Sequence, residues 1–100
     1  MDNFTVKLYQ RAYRDLDGIY SYIANNLSEP SIAENMISDI ENAILSLEQM
    51  PERGAIRKTG IYANQNYRQL IVKKYLIIYK VLADKKEVHI VTVRYSGSNF

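Results

Sequence analysis

Cysteine is absent from the 100 residues of this chain, which excludes disulfides, thiolate zinc sites, iron-sulfur clusters and cysteine nucleophiles. Histidine occurs once, at His89. With no carboxylates clustered in the strand-forming segments, it supplies too few ligands for a metal centre, and no cofactor is implied. Long apolar runs are also missing: the longest, Tyr75 to Tyr79, is far too short to cross a bilayer. The opening Met1-Asp2-Asn3 is acidic, and Lys7, Gln10 and Arg11 break the apolar segment that a signal peptide needs. A cytoplasmic protein with no membrane partner is therefore expected. Only two prolines and four glycines are present, and no linker, repeat or low-complexity segment divides the chain. What is there, 47% hydrophobic and 24% charged residues, is ordinary globular composition. Residues 1–100 read as one domain, whose folded surface should be roughly 5,800 Å².

The net charge of +2 conceals two blocks. Residues 1–50 carry three basic against eight acidic side chains, a net of −5, and residues 51–100 carry ten against three, a net of +7. Such asymmetry points to an anionic partner for one face, nucleic acid or an acidic protein. The later cations are expected to gather into a single docking zone.

Phe4, Val6 and Leu8 alternate with Thr5, Lys7 and Tyr9, the period of a strand with one buried face. From Ala12 the period changes. Ala12, Leu16, Ile19, Ile23 and Leu27 recur at helical steps, with Gly18 as a weak point inside the helix. A second helix starts either from Ser28 with Pro30 in its first turn or from Ser31 with Glu34 closing a capping box. It continues through Ala33, Met36, Ile37, Ile40, Ala43, Ile44, Leu47 and Met50 until Pro51 and Gly54 end it. The two helices should form an antiparallel hairpin. Arg53 to Asn66 is a loop with room for a short strand. Three strands follow, Tyr67 to Val72, Tyr75 to Leu82 and Glu87 to Tyr95, joined by turns short enough to force antiparallel neighbours. The fold class is α+β, order β-α-α-β-β-β, with the helix pair on a mainly antiparallel four-stranded sheet.

If Val72 pairs with Tyr75, one sheet face carries Arg68, Leu70, Val72, Tyr75, Ile77, Tyr79 and Val81 with Val88, Ile90, Thr92 and Arg94. That mostly apolar face is the seat for the helices. The other carries Gln69, Ile71, Leu76, Ile78 and Lys80 with His89, Val91, Val93 and Tyr95. Most of the nine tyrosines, Tyr75 and Tyr79 among them, read as core. Tyr62 and Tyr67, close to Arg57, Lys58 and Arg68, are the candidates for stacking on bases. His89 reads as a cross-strand polar contact.

The strand-helix-helix opening, the helix exit Leu47-Glu48-Gln49-Met50-Pro51-Glu52-Arg53-Gly54, the strand pair Tyr67 to Val81 and the closing Val91-Thr92-Val93-Arg94-Tyr95 together resemble the RelE/ParE superfamily. These are toxins of bacterial type II toxin-antitoxin systems. The resemblance covers nearly the whole chain and implies one such domain over residues 1–100, with a cognate antitoxin as partner. Members resembling RelE cut messenger RNA on the ribosome, without a metal, through basic side chains on the sheet. Members resembling ParE poison DNA gyrase by binding it. The positions where a nuclease commonly places cations correspond to Ile71 and Leu76, which cannot hold a phosphate, so the resemblance is nearer to ParE.

Three functions follow as expectations. The first is a toxin that binds an essential target such as gyrase and is neutralised by an antitoxin. The second is a ribosome-dependent endoribonuclease using Arg68 to hold a phosphate, Arg94 to stabilise the transition state and Tyr95 to move a proton. The third is an inactive domain that only binds an antitoxin. Target or antitoxin contacts are expected at Arg57, Lys58, Arg68, Lys73, Lys74, Lys80 and Arg94.

Overall fold

The computed structural model describes residues 3–27, 29–63 and 65–97. Strand β1, Thr5–Leu8, leads directly into helix α1, Gln10–Leu27, whose apolar stripe buries Ala12, Leu16 and Ile23. Helix α2 spans Pro30–Ser46, with proline in its first turn and Glu29 as an N-cap that makes no side-chain cap bond. Proline suits that position because its fixed φ is helical and its missing N–H would have had no partner there. A start at Ser31 is thus not used, and Ser28 lies outside the described residues. The helix stops before Met50, which is exposed rather than part of the buried stripe.

Strands β2 (Ala55–Ile56), β3 (Arg68–Val72), β4 (Tyr75–Leu82) and β5 (Glu87–Tyr95) join β1 in one sheet of order β1-β5-β4-β3-β2. A short 3₁₀ turn, Gly60–Tyr62, lies between β2 and β3. The class is as expected, but the sheet is mixed and has five strands rather than four. The added strand is the two-residue β2, and β1 runs parallel to β5. Connectivity explains the parallel pair. Helix α2 returns the chain to where β1 began, shown by the 2.8 Å bond from the Phe4 N–H to the Glu48 carbonyl. The antiparallel steps β3 to β4 to β5 then leave β5 pointing the same way as β1.

Val72 pairs with Tyr75 as expected, across a two-residue turn in which Lys73 takes a left-handed φ of 55°. Leu70, Tyr75, Ile77, Tyr79, Val88 and Ile90 face the helices and form the core with Ala12, Leu16, Ile40, Ile44 and Leu47. The expected faces fail at one place. The ladder between β4 and β5 shifts between Ile78 and Tyr79, which pair with Thr92 and Ile90 and leave Val91 as an extra residue. Such a bulge exchanges the faces of every residue beyond it. Val93 therefore joins the core, and Tyr95 follows it to the helix side, opposite Tyr75. Thr92 and Arg94 pair with Ile78 and Leu76 on the other face.

The corner before β3 is held by Tyr79, which is fully buried. Its hydroxyl accepts a 2.9 Å bond from the Gly54 N–H, and burial, the largest influence, raises its pKa above the usual tyrosine value. A Cβ on Gly54 would lie 2.5 Å from the Gln69 carbonyl and 2.6 Å from the Tyr79 hydroxyl. Only glycine allows that approach.

Candidate functional site

Helix α1 continues past the end of β1 and lies against the part of β5 that β1 does not cover, since β1 pairs only with residues 87–90. Two stripes along it matter here. Ala12, Leu16 and Ile23 enter the core. On one flank, Arg11, Arg14, Asp15, Gly18 and Tyr22 form the wall of a cleft of about 940 Å³. The start of α2 supplies Ile32 and Met36 to this cleft, the turn between β3 and β4 supplies Lys74 and Tyr75, and β5 supplies Val93, Arg94 and Tyr95. Tyr22, Leu27, Ile32 and Tyr95 are all large, exposed and gathered here. Leu27 closes the helix stripe read from the sequence, but it is 55% exposed, because the cleft lies beneath it instead of core.

The rim is cationic. Among the described residues, Arg11, Arg14 and Lys74 take part in no ion pair, whereas the neighbouring Lys73 is held by Asp39 at 2.7 Å. The one carboxylate among the described residues of the cleft, Asp15, is engaged: its Oδ2 accepts the Val93 N–H at 3.0 Å and the Thr92 hydroxyl. Asp15 thereby occupies a backbone donor on the uncovered edge of β5. Arg94 completes this group, its Nε donating to the Thr92 Oγ1 at 3.3 Å. Tyr75 and Tyr95 meet edge to face with ring centres 6.0 Å apart. Burial raises the Tyr75 pKa, and the nearby Tyr22 and Tyr95 hydroxyls raise it further, so its hydroxyl stays protonated. The site combines an apolar floor, aromatic edges and a cationic rim. It suits an acidic segment with an apolar face.

The structure brings together only part of the residue set expected from the sequence. Lys74, Arg94 and Tyr95 line the cleft. Arg68 is on the opposite sheet face from Arg94, pairing with Tyr79 where Arg94 pairs with Leu76. Its guanidinium donates to the Gly54 carbonyl at 2.7 Å and pairs with Glu52 at 3.3 Å. Arg57 donates to the Gln69 Oε1 at 2.7 Å, and Lys80 lies over the Tyr67 ring at 5.6 Å, itself edge to face with Tyr62. Lys58 is exposed in the loop after β2. The later cations therefore do not form one docking zone. The strands alternate their side chains between two faces, and carboxylates hold two of these cations, Asp39 on Lys73 and Glu52 on Arg68.

His89 makes the polar contacts expected of it. Its Nε2 bonds Glu87 at 2.9 Å and its Nδ1 meets the Tyr9 hydroxyl at 3.1 Å. Hydrogen bonds from Lys7 and His89 hold the Glu87 carboxyl down to a pKa of about 2. Because that carboxyl is ionised, the histidine Nε2 facing it carries a proton and donates to it. The tyrosines depart from expectation: Tyr75 and Tyr79 are buried, but Tyr9, Tyr13, Tyr20, Tyr22 and Tyr95 are exposed, because those on α1 lie off its buried stripe. Arg11, Arg14, Gly18 and Tyr22 were not singled out as binding residues by the sequence reading. Their steps of 3, 4 and 4 repeat the period of the apolar stripe, and that was the available signal.

Comparison with known proteins agrees with this architecture. Residues 6–100 match the family model described as the ParE toxin of the type II toxin-antitoxin system parDE. A chain from the chromosomal ParDE system of P. aeruginosa superposes with a TM-score of 0.75 at 24% identity, covering 92% of this chain and 95% of that one. A chain from the RelBE2 toxin-antitoxin complex of Mycobacterium tuberculosis gives 0.64 at 20% identity, covering 93% and 98%. A variant of the E. coli toxin RelE in the free state gives 0.65 at 12% identity, covering 95% and 85%. At such identities these structures establish the shared fold. No curated protein matches the chain at a significant level.

Proposed function

From the premise that this chain belongs to the ParE toxin family, and so is the toxin of a type II toxin-antitoxin system, we propose that it arrests growth in the cytoplasm by binding DNA gyrase rather than by cutting RNA. The observation that carries this reading is the pair Ile71 and Leu76. The two stand directly opposite one another across β3 and β4, Ile71 61% exposed and Leu76 buried, where a nuclease of the superfamily would present cations. Neither can stabilise a phosphorane or activate a ribose hydroxyl. The separation of Arg68 from Arg94 across the sheet supports the same reading, because phosphate chemistry needs its cations around one phosphorus.

The basic cleft receives the antitoxin. An acidic, partly disordered segment ordering in it would place its apolar side chains on Ile19, Ile23 and Val93 and its carboxylates against Arg11, Arg14, Lys74 and Arg94. Such a complex weakens as salt rises.

The test sets a supercoiling assay with purified gyrase beside a ribosome-dependent transcript cleavage assay. Inhibition of supercoiling with transcripts left whole, and a DNA-damage response on induction in cells, is the expected result. Cleaved transcripts with gyrase unaffected would overturn the proposal in favour of an endoribonuclease using Arg94 and Tyr95. Absence of any growth inhibition would leave a domain that only binds its antitoxin.

A further inference from the structure

Gly18 sits in the middle of an 18-residue helix, where glycine is less favourable than alanine through its backbone freedom. Among the described residues, nothing outside its own helix requires it: a Cβ at Gly18 would meet no atom beyond the local helix backbone within 4 Å, in contrast to Gly54. The residue is exposed and stands in the wall of the basic cleft, one turn beyond Arg14 and one turn before Tyr22. The helix is therefore bare of side chain at the centre of its own cationic and aromatic stripe.

A partner segment could enter this cleft in two forms. As a strand it would extend the sheet at the uncovered edge of β5, but the Val93 N–H on that edge is already given to Asp15. An incoming carbonyl would have to displace a carboxylate that also holds Thr92. As a helix it would lie against α1, where the distance of approach is set by the side chains at the crossing, and glycine permits the closest one. We propose that Gly18 is the crossing point at which an acidic, apolar-faced helix of the antitoxin passes over α1, so that this residue determines which antitoxin helices fit. The assignment rests on the reading that the basic cleft is the antitoxin site. Charge selects the partner class through Arg11, Arg14 and Lys74, and Gly18 selects among acidic helices by how closely their backbone can approach.

The experiment uses the full chain and the antitoxin encoded by the adjacent reading frame, with Gly18→Ala, Gly18→Leu and the double variant Arg11→Glu/Arg14→Glu compared by calorimetric titration and thermal melting. Gly18→Ala should raise the melting temperature of the free toxin by about 4–8 °C while weakening the complex about tenfold, and Gly18→Leu should weaken it further. Opposite signs for stability and affinity at one residue are the signature. If both Gly18 variants bind as tightly as the parent while the double arginine variant binds weakly, the cleft stands as the site and the crossing point is wrong. If the double arginine variant also binds as the parent does, the site reading fails, and this inference fails with it. Carbon chemical shifts of the labelled antitoxin segment should become helical in the complex; strand shifts would overturn the proposal.

Discussion

Helix α1 separates two grooves of opposite character. On one flank lies the cleft of about 940 Å³ rimmed by Arg11, Arg14, Lys74 and Arg94. On the other lies a smaller groove of about 550 Å³ between α1 and α2, lined by Leu8, Tyr13, Leu16, Tyr20, Ile37, Ile44 and Leu45, with Asp17 and Glu41 as its charged members. Both have apolar floors and exposed tyrosines. They differ in the sign of charge and in what bounds them: α1, α2 and the end of β1 on the acidic side, and α1, the start of α2 and the end of β5 on the basic side. Successive residues of one helix thus serve opposite electrostatic roles. Division of the chain into an acidic front and a basic back conceals this, because Arg11 and Arg14, two of the three basic residues in the front half, complete a site whose other cations come from the back.

The sharpest way to break this comparison is by charge. Reversal of Arg11 and Arg14 to glutamate should weaken the antitoxin complex by about 100-fold at low salt, with the loss shrinking as salt rises. Asp17→Lys with Glu41→Lys should change affinity by no more than about threefold. Calorimetric titration at two salt concentrations measures both, and equal losses on the two flanks would mean that the grooves are not functionally distinct.

A second contrast is between the glycines. Gly54→Ala should destabilise the fold by about 3 kcal/mol, since the new methyl meets a backbone carbonyl and a buried hydroxyl that cannot both retreat. Denaturant unfolding reads this directly, and the loss falls on the corner holding β2 rather than on the cleft. Asp15 and Asp17 give a third, smaller difference. Asp15→Ala should cost about 1–2 kcal/mol by leaving the Val93 N–H and Thr92 hydroxyl without their acceptor, and Asp17→Ala no more than about 0.5 kcal/mol. Denaturant titration of the pair sharpens the distinction between the flanks.

The smallest effect is on pH dependence. The Glu87 carboxyl titrates near 2 in the folded chain against an ordinary 4.5. The stability it contributes is fully present above pH 4.5 and is lost as pH falls toward 2. Glu87→Gln should flatten that part of the stability curve in acid melts. Because Glu87 lines neither groove, the same substitution should leave antitoxin affinity at neutral pH unchanged.

The helices, the three late strands and their pairing were legible in the sequence because each follows from local periodicity and turn length. Val72 opposite Tyr75 needed only a two-residue turn. The parallel pairing of β1 with β5 was implicit in the topology, but it depends on α2 returning to Phe4, a contact between distant residues. The bulge at Val91 was not legible: the residues Ile90-Val91-Thr92-Val93 read as an unbroken strand, and only the partner strand shows which of them is extra. That one residue moved Arg94 to the face away from Arg68 and carried Tyr95 to the helix side.

What the sequence determined by itself is the class of fold, the superfamily and the aliphatic pair at Ile71 and Leu76, because patterning and spacing are properties of the chain alone. What only the tertiary structure decided is which charges act together. Lys73, Arg68 and Lys7 are spent on Asp39, Glu52 and Glu87, whereas Arg11 and Arg14 join Lys74 across more than half the chain. Electrostatic interaction decays over about a nanometre in salt, so a charge acts with its neighbours in space, and those neighbours exist only once the chain has folded.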